Sequence, residues 1–185
     1  MSDDNYFPMV PSFEDTTQYR LLTTDYVETI DVEGREILKI DPEGIALLTA
    51  QGFSDTSHLL RTEHLEQVRK ILDDPEASDN DRFVALDMLK NANIASGRVL
   101  PMCQDTGTAI IMGEKGEQVW VDGNDEAAIS EGVRRTYDTD NLRFSQLAPL
   151  SMYDEVNTGD NLPAQIEIYA DKGPTYKFMF VAKGG

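Results

Sequence analysis

One cysteine stands in this chain of 185 residues, Cys103, and its neighbours have the types of a reactive loop. A carboxamide and a carboxylate, Gln104 and Asp105, follow it directly, and Thr106-Gly107-Thr108 then leads into the apolar run 109–112. Upstream, Pro101 fixes its own φ and pushes Leu100 toward extended geometry, so the thiol follows a stiffened segment. Gly107 can take the positive φ that a tight turn demands. The expected product is a short loop presenting a soft metal donor, a hydrogen-bonding amide and a proton carrier side by side. Each residue also has a blander use. A lone cysteine often fills space in a core, and an aspartate before Thr-Gly can cap a turn through its side chain. Gln-Asp-Thr-Gly is nevertheless loop sequence rather than core sequence.

The elements that must carry this loop read as follows. Residues 1–18 hold Pro8, Pro11 and many polar groups and are expected to form a flexible arm ahead of one domain spanning 19–185. Apolar and polar residues alternate over 26–32 and again over 36–40 around Glu33-Gly34, which predicts a β-hairpin. Asp41-Pro42 predicts an N-cap and first helical position. Helical spacing then runs to about Asn93. Gly52 reads as a weak point between turns, Thr62 as the cap of a second unit, and Ser78 with Asp81 as a capping box. Phe83, Leu86 and Leu89 are expected to face inward. His58 and His64 fall at no metal-ligand spacing and read as solvated or core-edge. Beyond the cysteine loop, 109–112 and 118–121 predict a second hairpin around 114–117. A helix from Asp125 carries Ile129, Val133 and Tyr137 inward. Arg134 and Arg135, among many acids, read as surface groups. A helix or loop runs on from 143 to 153, and 165–170 and 175–182 read as strands. The fold class is α+β, a helical N-terminal half packed on a mainly antiparallel sheet.

Composition narrows the partners. Acidic residues outnumber basic ones 34 to 16, a formal net charge of −18, which disfavours nucleic acid and anionic membranes as partners. No apolar stretch approaches the roughly 18 residues of a membrane span. The acidic N-terminus lacks a signal-peptide layout, and a single cysteine excludes an internal disulfide, so a reducing cytoplasm is the expected compartment. Lys183-Gly184-Gly185 closes the chain at a glycine-rich turn one step after an apolar strand, and the expectation is of a chain truncated there.

The segment from Leu100 to Ala109 resembles the first cluster-ligand segment of the class I, iron–sulfur-dependent fumarate hydratases. The likeness continues in Asp74-Pro75-Glu76-Ala77-Ser78, in Asn141-Leu142-Arg143-Phe144-Ser145-Gln146 and in residues 157–165, four segments in the family's order. It covers the chain from about Tyr19 onward. Tartrate dehydratases share the cysteine loop, while the long N-terminal half favours fumarase. The resemblance implies an N-terminal portion of a hydro-lyase of the tricarboxylic acid cycle, a cytoplasmic homodimer that hydrates fumarate reversibly to (S)-malate. It implies that Cys103 is one ligand of a [4Fe–4S] cluster whose two further cysteines lie beyond Gly185, so that this chain alone would be inactive. It further implies that Gln104 binds substrate, that Asp105 is the catalytic proton donor and that Arg143 grips a substrate carboxylate. A guanidinium fork suits that last role, although an exposed arginine can equally form a surface ion pair. Phe144 departs from the family's more frequent tyrosine. The alternatives are a tartrate dehydratase-type enzyme, and a non-catalytic structural or interface module with a vestigial cysteine loop.

Overall fold

A computed structural model describes residues 18–103, 107–149 and 151–183. The expected N-terminal arm, apart from residue 18, lies outside the described residues. Strands β1 (Val27–Val32) and β2 (Arg35–Ile40) form the expected antiparallel hairpin, with Glu33 and Gly34 both at positive φ in the turn. Asp41 then caps helix α1 (Pro42–His58), its carboxylate accepting from Glu43 N–H at 2.8 Å. Helices α2 (Thr62–Ile71) and α3 (Asp79–Ala95) follow, and α3 starts in the expected capping box between Ser78 and Asp81. After the cysteine loop come β3 (Ala109–Gly116), β4 (Val119–Val121) and helix α4 (Asp125–Thr139). The short β5 (Leu147–Pro149) and β6 (Glu155–Asn157) pair with each other, and β7 (Gln165–Asp171) and β8 (Tyr176–Ala182) complete the chain.

The architecture is α+β with mixed sheets. One sheet has the order β1-β2-β4, with β4 parallel to β2. Another has the order β7-β3-β8, with β3 parallel to β7 and antiparallel to β8. The core lies where α1 and α4 pack together and α1 meets β8. Phe53, Ile111, Ile129 and Val133 are fully buried there, and each burial contributes roughly 1.5–3 kcal/mol.

Several sequence expectations are corrected. The second hairpin does not form, because β3 and β4 belong to different sheets. Residues 114–116 are strand, not turn, and the backbone of 116–118 bonds to 171–175. Gly116 is needed for that approach: a Cβ there would lie 2.0 Å from Gly173 O. Gly52 is no weak point. It sits mid-helix under the Phe180 ring, where a Cβ would meet Cδ2 at 2.4 Å. Thr62 is the first residue of α2 and makes no cap, Arg61 standing at that position. The inward face of α3 is Ala85, Ala92 and Ala95, whereas Phe83 and Leu86 are exposed and Leu89 only partly covered. The covered face of α3 is thus its small side chains, with its larger ones turned outward. Of the helix or loop expected beyond 143, residues 143–149 and 151–153 take the non-helical alternative, extended or irregular.

Candidate functional site

The Cys103 thiol is exposed, which removes its reading as a core filler. Its loop is tied down on both sides. Before the cysteine, Met102 N–H donates to Ser57 O at the end of α1 (2.9 Å), and Asn91 Nδ2 on α3 donates to Met102 O (2.9 Å). Arg98, at φ 58, reaches back to α1, donating to Ser54 Oγ at 3.0 Å and pairing with Asp55. Arg20 pairs with the same carboxylate at 2.7 Å. Burial pushes the Asp55 carboxyl up, but Arg98, Gln51 and Arg20 outweigh it and hold the group below its ordinary range. Two guanidinium groups on one carboxylate leave a locally positive balance beside the cysteine loop, against the chain's overall −18.

After the cysteine, Gly107 takes φ 55, and its carbonyl accepts from Asn161 Nδ2 at 3.0 Å and from Tyr137 OH at 3.4 Å. Both donors are almost wholly buried. Gln104, Asp105 and Thr106 lie between these anchors and outside the described residues.

Arg143 is exposed, between buried Leu142 and Phe144, whose ring stacks on Tyr137 at 6.4 Å. Its segment runs beside the cysteine segment. Asn141 Nδ2 donates to Val99 O at 3.3 Å, and Thr108 Oγ1 donates to Gln146 Oε1 at 2.9 Å. Asn161 spans the two. Its Oδ1 accepts from Ser145 N–H (2.8 Å) and Gln146 N–H (3.1 Å) while its Nδ2 holds Gly107 O. It is fully buried at φ 59, a backbone region where asparagine is among the best tolerated residues. The segments carrying Cys103 and Arg143 are thus brought together.

Two residues here escaped the sequence reading. Asn161 lies in the resembling segment 157–165 and in a turn-rich link, but no role was read for it; its signals were that likeness and an asparagine in a Gly-Asp-Asn turn. His58 is fully buried rather than solvated or at the core edge. Its Nδ1 lies 2.8 Å from Ser54 O, an acceptor, so Nδ1 donates there. Nε2 has no hydrogen-bond partner among the described residues. His64 is exposed, as expected. Arg134 and Arg135 on α4 both bind Glu131, holding its carboxyl down to about 2, and Arg135 also bridges to Glu43 on α1.

The donor set bears on an iron–sulfur cluster. Such clusters are held chiefly by thiolates, normally four. Among the described residues no group of three or more His, Cys, Asp and Glu side chains could hold a metal ion. The described residues thus offer one thiol, Cys103, and among them no set of donors that completes a cluster.

A family model described as "Fumarate hydratase (Fumerase)" matches residues 47–185. Fumarate hydratase 1, mitochondrial, of Leishmania major is 57% identical over 188 residues, covering 100% of this chain and 34% of that relative. Fumarate hydratase class I, aerobic, of Escherichia coli (strain K12) is 56% identical over 181 residues, covering 98% of the chain and 33% of the relative. The anaerobic class I fumarate hydratase of the same strain is 58% identical over 175 residues, covering 95% and 32%. The chain thus spans about a third of the length of the curated relatives it matches. No helix among the described residues is long and apolar enough to cross a membrane.

Proposed function

The chain belongs to the class I fumarate hydratase family, and on that footing we propose that it is the part of a hydro-lyase that presents Cys103 and Arg143 to fumarate. The observation that carries this reading is the side-by-side anchoring of two exposed groups, a thiol and a guanidinium, on segments joined through Val99–Asn141, Thr108–Gln146 and Asn161. Hydration adds hydroxide to one alkene carbon and a proton to the other, so the site must hold a dianion, exclude competing orientations and supply an acid. Arg143 binds one carboxylate as a fork, giving orientation as well as charge. Gln104 donates a hydrogen bond to the substrate and Asp105 is the proton donor, roles that rest on the family resemblance of their positions after Cys103.

Cys103 supplies one thiolate to a [4Fe–4S] cluster, the other ligands coming from the remainder of the enzyme. When bound, the cluster offers an open iron as a Lewis acid to substrate oxygen. The assembly is a homodimer, on the family resemblance.

The test is Cys103→Ser in the full-length enzyme, assayed on fumarate and on tartrate beside the parent. The ends of the loop are held by Met102 N–H on Ser57 O and by Asn161 Nδ2 on Gly107 O, so the variant is expected to fold as the parent does. It should lose iron, sulfide and fumarate hydration, because a serine hydroxyl is a harder and far less acidic donor. Normal iron content and turnover in the variant would overturn the ligand role. A parent active on tartrate and inert on fumarate would overturn the substrate.

A further inference from the structure

We propose that Asn161 is a positioning residue that sets the register of the cysteine segment against the arginine segment, and so the distance over which one substrate must reach. This deepens the reading above and rests on it. One carboxamide makes three bonds to backbone atoms of two segments: Nδ2 to Gly107 O, and Oδ1 from Ser145 and Gln146 N–H. Gly107 lies four positions after Cys103, and Ser145 two positions after Arg143. Neither segment is held to the other by a strand ladder, since β3 begins only at Ala109 and β5 only at Leu147. Asn161 is wholly buried, so water cannot replace its amide. Its own position is fixed by a left-handed backbone and by the Asp160 side chain, which accepts from Leu162 N–H at 3.0 Å. Thr108 Oγ1 to Gln146 Oε1 is a weaker, partly exposed tie between the same segments.

Aspartate at 161 divides the two functions of the amide. It keeps an acceptor for Ser145 and Gln146 but puts an oxygen against Gly107 O, so only the cysteine side is released. In the full-length enzyme Asn161→Asp should keep its circular dichroism, iron and sulfide while KM for fumarate rises on the order of tenfold or more, since misplacement of a fraction of an ångström is costly to a two-point contact. Thr108→Val should raise KM in the same direction by a smaller factor, and it decides the matter should Asn161→Asp not fold. A purely structural residue would lower the melting temperature and leave KM at 25 °C unchanged. An unchanged KM in the folded variants overturns the proposal.

Hydrogen exchange separates this from the functional reading. Asn161→Asp should speed exchange in the peptide covering 103–108, whose tie is lost, and leave 143–147, whose acceptor is kept, near the parent's rate, whatever the substrate. An enzyme inert on fumarate with that one-sided change keeps the anchoring role of Asn161 and loses the fumarase reading. Unchanged exchange over 103–108, or faster exchange over 143–147 alone, overturns the anchoring itself.

Discussion

Gly132→Ala is expected to destabilise the fold, although alanine is the better helix former. Gly132 lies where α4 crosses α1. A Cβ there would stand 2.5 Å from Ala46 O, 2.5 Å from Thr49 Cβ and 3.0 Å from Thr49 Cγ2. Comfortable carbon contacts are about 3.5–4.0 Å, so the helices would have to part by about 1 Å at the crossing. Neither obstacle can rotate away, one being a backbone carbonyl and the other a β-carbon. Separation would also loosen Ile45, Ile129 and Val133, all buried in the seam, and stretch the 3.0 Å bond from Thr136 Oγ1 to Ala50 O. Alanine contributes up to about 1 kcal/mol over glycine in a helix, while overpacking costs roughly 1–3 kcal/mol. With a rigid obstacle the cost falls at the upper end, leaving a net loss of about 1–2 kcal/mol. For a chain of this size that is a fall in Tm of about 2–8 °C. Urea unfolding followed by far-ultraviolet circular dichroism and by Trp120, the chain's one tryptophan, measures it. A Gly132→Ala variant as stable as the parent, or more so, would refute the close-crossing argument.

Two further outcomes follow from charge chemistry. Arg143→Lys in the full-length enzyme should raise KM for fumarate by roughly ten- to a hundredfold with iron content unchanged, the loss of a bidentate charge-assisted contact being worth about 1.5–3 kcal/mol; unchanged kinetics would return Arg143 to a surface role. Burial, then the 2.9 Å bond to Asp125, raises the Tyr176 phenol above its ordinary value. A raised folded pKa means that this stabilisation is complete below the unfolded value of about 10 and is lost as pH rises beyond it, because the unfolded phenol ionises first. Tyr176→Phe should therefore be less stable at neutral pH, and its urea midpoint should fall less steeply than the parent's above about pH 10. Parallel alkaline profiles for the two proteins would contradict this.

What the sequence revealed and what it hid divide by the range of the interaction. Asp41-Pro42, Ser78 with Asp81, and Glu33-Gly34 act within four residues, so their geometry is written where they stand. Ile129, Val133 and Tyr137 were readable because one face of α4 meets one core. Helix α3 misled for the complementary reason: periodicity reports that a helix has an apolar stripe, not which of two surfaces packs within the chain. Ala85, Ala92 and Ala95 took the inner face, with Phe83 left outside. Gly52, Gly116 and Gly132 look alike in sequence, yet none breaks its element. Each is small because Phe180, Gly173 or α1 comes too close, a fact about a distant segment.

The site shows the same division at its sharpest. Cys103, Gln104, Asp105 and Arg143 stood out through residue type and family resemblance, while Asn91 did not, and Asn141 and Asn161 lay in resembling segments with nothing to mark their amides as the bonds that hold those segments in place. A carboxamide bonded to backbone atoms far along the chain has no period and needs no neighbour of given type, so no local rule can find it. Its effect is nonetheless specific. Pro101 restricts the backbone before the cysteine and Gly107 supplies a positive φ after it, but neither sets the placement of these segments relative to Arg143. Placement comes from Met102 held between Ser57 and Asn91 on one side and Gly107 held by Asn161 and Tyr137 on the other. A reactive loop must leave its working side chains unspent on structure, so the bonds that aim it have to be made by its ends and by residues that take no part in the chemistry.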